Sequence, residues 1–286
     1  MLLPGELSPQ PHVGGLPPNH SVLASRLSRH QGAPHPRRKL AALVALAILA
    51  LFLMASFGPT MRVLIMGVDE RPGDKGRSDT LILTSVSPWG LSLLSLPRDL
   101  RVSIPGRGLD KINAAYPYGG PGLSLKTVSE FLRIPVTHYL KVNFGGFERI
   151  IDQLGGITLE VEKPLRYSDP YQNLKIDLKP GKQTLDGYHA LGYVRFRSDE
   201  LGDINRMARQ QKFFRALLQA ALEPRNLLKL PLVVSTLRAN TETNLSLPSL
   251  LVFVFRAVER QGNLKTATIP GHPATINGIW YLIPDN

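Results

Sequence analysis

The sequence predicts a mixed α/β domain with an α-β-α layered build, a central sheet covered by helices, behind one N-terminal transmembrane helix. Three observations carry this. Compact apolar runs of strand length alternate with segments of helical spacing through most of the chain. Hydrophobic residues make up 43% of 286, enough for one large core, and no internal repeat is visible. An uncharged, almost wholly apolar run at 40–57 follows directly on a basic cluster.

Taken in order, residues 1–39 hold seven prolines and four of the seven histidines, with few large apolar side chains. Such a stretch buries too little to offset its chain entropy and is expected to be a disordered cytoplasmic tail. The irregular spacing of His12, His20, His30 and His35 argues against a metal tract. Residues 40–57 just reach the length that crosses a bilayer as a helix. Arg37, Arg38 and Lys39 precede them, which keeps the amino end in the cytoplasm and places 58–286 outside. A cleaved signal peptide is the rival reading, and Met54-Ala-Ser56 is a poor cleavage pattern for it. With no cysteine in the chain, thiol catalysis, disulfides and Cys-based zinc sites are excluded.

The net charge is +12. Five basic residues and one acidic residue precede residue 61, so the outer part keeps 29 basic against 21 acidic residues, about +8. A basic domain suits a polyanionic partner. Outside the membrane that partner is expected to be a lipid-linked phosphate, a head group or a wall polymer, and no nucleic acid is expected.

Within the outer domain, 61–67 reads as a buried strand, with Asp69 just past its carboxyl end. A glycine-containing loop leads to Arg77 and Asp79. Two carboxylates ten residues apart across a loop suit Mg²⁺ on a diphosphate, although two acids across a loop are also an ordinary solvated pair. Residues 81–86 and 91–96 pair as a hairpin about Ser87-Pro-Trp-Gly90, and the second strand runs into Arg98 and Asp99. Helical spacing is expected over 124–132, a strand at 137–142, a helix over 144–154 and a strand at 157–161, while 166–181 reads as polar loop. A helix from Asp203 runs to Pro224. A further helix, 248–260, is apolar nearly all round, which marks core or the wall of a lipid-tail tunnel.

The stretch 185–211 concentrates the chemistry. A helical turn or two, 186–191, is followed by an expected strand, 193–197, on which Arg195 and Arg197 share a face. On the next helix Asp203, Arg206, Arg209 and Gln210 form one stripe. Planar guanidinium forks gathered this way match phosphate oxygens in pairs. A solvated strand face and a surface ion pair are the alternative.

In order along the chain stand Gly67-x-Asp69, Gly76-Arg-Ser-Asp-Thr80, Ser95-Leu-Pro-Arg-Asp99, Lys111-Ile-Asn113, Leu185-Asp-Gly187, Ala190-Leu-x-Tyr-Val-Arg-x-Arg197 and Asp203-x-x-Arg206-x-x-Arg209-Gln210. This series resembles the LytR–CpsA–Psr proteins over roughly residues 62–222. The resemblance implies a phosphotransferase-type ligase that moves a glycopolymer from a polyprenyl-diphosphate carrier to peptidoglycan outside the membrane. It implies Mg²⁺ held by Asp69 and Asp79. The diphosphate would be bound by Arg77, Arg98, Arg195, Arg197, Arg206, Arg209 and Gln210, with the prenyl tail in an apolar pocket. Breaking the bond to the carrier leaves negative charge that a metal and arginines stabilise. The acceptor hydroxyl needs a proton acceptor, for which Asp99 and Asp203 both qualify. A polyprenyl-diphosphate pyrophosphatase with water as nucleophile is the alternative within the same chemistry. A membrane-anchored, non-catalytic lipid-phosphate-binding regulator of envelope assembly is the alternative outside it.

Overall fold

A computed structural model describes residues 39–41, 43, 46, 49–50, 53, 57–68, 76, 78–169, 174–197, 202–227 and 229–285. Contacts divide the chain into two units, Met1–Ile48 and Leu49–Asn286. The first is described only at 39–41, 43 and 46, all helical. The tail expected at 1–39 lies almost wholly outside the described residues, and so does much of the run 40–57. Among the described residues no helix is long and apolar enough to cross a membrane.

The second unit is a mixed α/β domain. Its elements in order are β1 (Met61–Val68), β2 (Ser78–Ser87), β3 (Gly90–Ser95), β4 (Arg101–Ile104), β5 (Gly108–Lys111), α1 (Ala115–Leu132), β6 (His138–Val142), α2 (Phe144–Leu154), β7 (Ile157–Val161), β8 (Leu165–Asp169), β9 (Leu174–Leu178), β10 (Gly181–Leu185) and α3 (Gly187–Arg195). There follow α4 (Gly202–Leu222), the short α5 (Pro224–Leu227), α6 (Leu230–Ala239), β11 (Thr241–Thr243), α7 (Leu247–Glu259), β12 (Leu264–Thr268), β13 (Gly271–Ile276) and β14 (Ile279–Pro284).

The central sheet has the order β11-β6-β1-β2-β3-β12. β1 pairs antiparallel with β2 and parallel with β6, while β3 pairs parallel with β12. The run MRVLIMGV is apolar at consecutive positions because both faces of β1 are covered. Leu64, Met66 and Val68 point to one side, where Val128 of α1 closes a core with Leu81, Leu83 and Ile112. Val63 and Ile65 point to the other side, toward Leu218 of α4, Val234 of α6 and Phe253 of α7. A further core joins the β7–β10 and β8–β9 ribbons to α2, α3 and α4.

Local signals set most boundaries. Asn143 caps α2 by accepting the Gly146 amide at 2.7 Å, and Gly155 ends the helix at φ 84. Asp186 caps α3, its carboxylate accepting the His189 amide at 2.9 Å. That amide and the His189 ring beside it hold the Asp186 carboxyl below the ordinary range.

Two expectations fail. The strand expected at 193–197 is absent, because α3 continues to Arg195 and only Phe196 turns extended. Ala190 and Tyr193 are buried three apart, a helical spacing, in the third core, and that packing outweighs the strand preference of Tyr193 and Val194. The loop expected at 166–181 contains most of the β8–β9 hairpin. Leu174, Ile176 and Leu178 alternate with exposed Lys175 and Asp177, a period of two that the polar composition concealed.

Candidate functional site

Between the sheet and the helices α2, α4, α6 and α7 lies a cavity of about 630 Å³, within the range of small-molecule sites. Ile65, Ile82 and Leu140 form its floor, and Phe147, Ile150 and Leu154 of α2 form one wall. Phe253, Val254, Ala257 and Val258 of α7 line it as well, so the apolar helix serves both core and cavity. Along α4 the lining residues are Arg206, Gln210, Phe214, Leu217, Leu218 and Ala221. The first two are polar and the rest apolar. From Arg206 to Ala221 the helix rises about 22 Å, so the cavity has a polar head and a long apolar body.

The head gathers Gly67 at the end of β1, Asp79 and Thr80 at the start of β2, Arg195 and Arg197 flanking the end of α3, and Arg206 and Gln210. Arg98 Nη1 donates to Asp79 Oδ1 at 2.9 Å, and Arg197 Nη2 stands 3.8 Å from Oδ2. Arg206 donates to the Asp79 carbonyl at 3.2 Å. Gln210 donates to Thr80 Oγ1 at 3.0 Å and to the Val194 carbonyl at 3.3 Å. The Arg195 guanidinium stacks over Phe144, 4.1 Å from the ring centre. Gly67 packs closely here, since a Cβ at that position would lie 3.1 Å from the Thr80 Cβ, tighter than ordinary contact. One half-exposed carboxylate thus sits among several guanidinium groups.

Arg195 and Arg197 do share the cavity head, although by another route than a strand face. One occupies the last turn of α3 and the other lies beyond it. The Phe196 carbonyl between them accepts Arg209 Nη2 at 2.8 Å. Arg209 therefore leaves the expected phosphate-facing stripe. It is buried, stacks on Phe196, and bonds Glu162 at 3.2 Å. Tyr193 donates to the same carboxylate at 3.0 Å. Burial would raise the Glu162 pKa, yet a backbone amide, Arg209 and Tyr193 outweigh it and hold the carboxyl below its usual range. Burial, with the Glu162 charge, pushes the Tyr193 hydroxyl up.

Asp99 lies beside the head and is 8% exposed. Lys111 Nζ engages its Oδ1 at 2.6 Å and Arg98 Nε its Oδ2 at 3.3 Å. Lys111, Asp99, Arg98, Asp79 and Arg197 form one charge-alternating series. Asp69, Arg77 and the Asp203 side chain lie outside the described residues. Among the described residues no three His, Asp or Glu side chains converge as a metal cluster. Glu162 and Phe144 carry no pattern in the sequence, since each acts by touching an arginine far along the chain.

A layered domain with a long apolar cavity and an arginine-rich head has the shape and charge that suit an amphiphile with an anionic end. The chain belongs to the LytR_cpsA_psr family, whose model matches residues 55–286. It is 38% identical to the polyisoprenyl-teichoic acid–peptidoglycan teichoic acid transferase TagU of Oceanobacillus iheyensis over 232 residues, covering 78% of this chain and 71% of that protein. The Bacillus subtilis TagU is 36% identical, with 78% and 72% covered. Among solved structures, B. subtilis TagV superposes with a TM-score of 0.70 at 31% identity, covering 79% of this chain and 91% of that one. YwtF (TagT) with bound octaprenyl pyrophosphate lipid superposes with a TM-score of 0.61 at 28% identity, covering 79% and 84%.

Proposed function

We propose that this protein transfers a glycopolymer from a polyprenyl-diphosphate carrier to peptidoglycan on the outer side of the membrane, held there by the apolar run 40–57. The observation that carries this reading is the cavity itself, apolar along α4 and α7 and headed by Arg195, Arg197 and Arg206. A prenyl chain suits the body, each buried methylene contributing about 0.8 kcal/mol. A diphosphate suits the head, where guanidinium forks meet its oxygens in pairs. The naming of relatives as teichoic acid transferases, and the prenyl pyrophosphate bound by a structural relative, support the same reading.

In this reaction an acceptor hydroxyl attacks phosphorus, the bond to the carrier breaks, and charge builds on the departing prenyl phosphate. Arg98, Arg195, Arg197 and Arg206 are placed to stabilise that charge, with Gln210 orienting the head. Both Asp99 oxygens are engaged by Lys111 and Arg98. That arrangement supports an orienting role for Asp99 and favours Asp203, at the start of α4, as proton acceptor. Magnesium suits the donor chemistry, since Asp79 presents a hard, partly exposed carboxylate at the head and Mg²⁺ takes one or two carboxylates with phosphate oxygens and waters. Asp79 and, by sequence, Asp69 would hold it. When bound, it would neutralise diphosphate oxygens as a Lewis acid.

The test is an octaprenyl-diphosphate titration beside a transfer assay. Arg195→Lys and Arg197→Lys are expected to weaken binding and slow transfer by at least about tenfold, roughly 1.4 kcal/mol, because an ammonium lacks the fork. Asp203→Asn is expected to keep binding while transfer falls steeply. Arginine variants that bind and transfer like the parent would sink the reading.

A further inference from the structure

The end of the sheet opposite the cavity head carries a second apolar feature. β1 begins there at Met61, paired with Val86 of β2, and the β2–β3 turn follows at the same end. On that turn Trp89 is 87% exposed. The backbone of the turn that carries it is pinned. Ser87 Oγ accepts the Trp89 amide at 3.2 Å and the Gly90 amide at 3.1 Å, and donates to the Gly90 carbonyl at 3.2 Å. Thr60, Trp89 and Lys265 line one shallow groove.

The chain joins the domain beside this turn. Leu49, Leu53 and Phe57 are spaced four apart and exposed, Phe57 at 78%. Directly after them the path of the backbone is fixed. Arg256 of α7, 1% exposed, donates from Nη1 to the Pro59 carbonyl at 2.8 Å and from Nη2 to the Gly58 carbonyl at 2.6 Å. A buried guanidinium held by two carbonyls ties the incoming segment rigidly to the domain. The orientation of the sheet relative to 58–60 is thereby set by the fold.

We propose that this end of the domain seats on the lipid–water interface, with Trp89 inserted at the depth of the head groups and Lys265 beside it for their phosphates. The proposal rests on the reading of 40–57 as a membrane anchor, and commits to the bilayer as occupant on three grounds. The apolar run 40–57 leads into this end. Indole is an amphipathic ring that favours the head-group layer. Lys265 supplies the matching charge near anionic lipid. Seated so, the domain holds its arginine head away from the membrane, one sheet length up, with the apolar body of the cavity running back toward the lipid.

The chain contains two tryptophans, Trp89 and Trp280. Trp280 lies on the β13–β14 hairpin, which joins the core through Leu282 at Asp99, the cavity-head end. It is the internal control. The full chain is incorporated in vesicles of phosphatidylcholine and phosphatidylglycerol, flotation is measured, and the lipids are exchanged for ones brominated near the head group. In Trp280→Phe, the remaining Trp89 emission is expected to fall by at least about twofold. In Trp89→Phe, the remaining Trp280 emission should change little. A floating chain whose Trp89 is quenched no more than Trp280 overturns the docking. Trp89 emission that is blue-shifted yet unquenched by bromine would mean that a second copy covers it, and overturns it equally. Failure to float removes the anchor and the docking together, whereas loss of diphosphate binding leaves this proposal standing and strikes only the transferase reading.

Discussion

Asp79 shows why residue identity is a poor guide to role. Its carboxylate is bonded by Arg98 and approached by Arg197, while its own carbonyl accepts from Arg206. A single acid thus organises three cations that would otherwise repel one another. Glu162 does the same work one layer back, holding Arg209 and Tyr193 so that Phe196 is latched between the two cavity arginines. Its pKa is depressed, so its contribution is present above the unfolded value, about 4.3, and is lost as pH falls through the lower folded value. Glu162→Gln is therefore expected to melt below the parent at neutral pH. The gap should close in strong acid, where the parent's carboxyl is protonated too, and thermal melts across pH measure it. A gap that stays constant across that range would assign Glu162 no charged role.

Among the elements, α3 depends on a close approach that only glycine permits. A Cβ at Gly187 would stand 2.4 Å from the Glu148 carbonyl oxygen and 2.6 Å from its Cα, both backbone atoms of α2. The Gly187 amide also donates to Asp152 of α2 at 2.7 Å. The two helices are thus fastened at the N-terminus of α3, and Arg195 at its far end inherits the placement. Gly187→Ala is expected to cost about 1–3 kcal/mol of stability through overpacking and to weaken octaprenyl-diphosphate binding as α3 shifts. Gly122→Ala in α1, where the Cβ would meet nothing within 4 Å, is the control and should be neutral or mildly stabilising. Equal melting temperatures for the two variants would refute the contact.

At the scale of the molecule, an apolar cavity between a sheet and its covering helices leaves the domain short of packing until it is filled. A ligand that binds only the folded state stabilises it by about 2.7 kcal/mol at one hundred times its Kd. For a domain of this size that is a rise of roughly 5–10 °C in Tm. Octaprenyl diphosphate is expected to produce such a rise, octaprenol less, and inorganic diphosphate little, since each lacks one half of the match. Equal shifts from octaprenyl diphosphate and diphosphate would mean that the apolar body goes unused.

Much of this was legible along the chain. The β2–β3 hairpin, α2, β7, α4 and α7 follow from apolar periods that a window of ten residues contains, and the arginine motifs stand in the sequence itself. What depends on distant neighbours was not. Whether 193–195 is strand or helix was decided by burial of Ala190 and Tyr193 in the third core. Arg206 and Arg209 lie three apart on one helix, yet one meets the cavity and the other meets Glu162, because the partner across the chain sets the direction of a long side chain. Asp99 and Asp203 are alike as acids in the sequence, which does not show that Lys111 and Arg98 engage both oxygens of the first. By itself the sequence determined the layers, the basic character and the inventory of arginines able to meet a phosphate, all of which are sums or periods of local composition. Only the tertiary structure decided which of those groups converge on one cavity, because convergence is a matter of contacts between residues far apart in the chain.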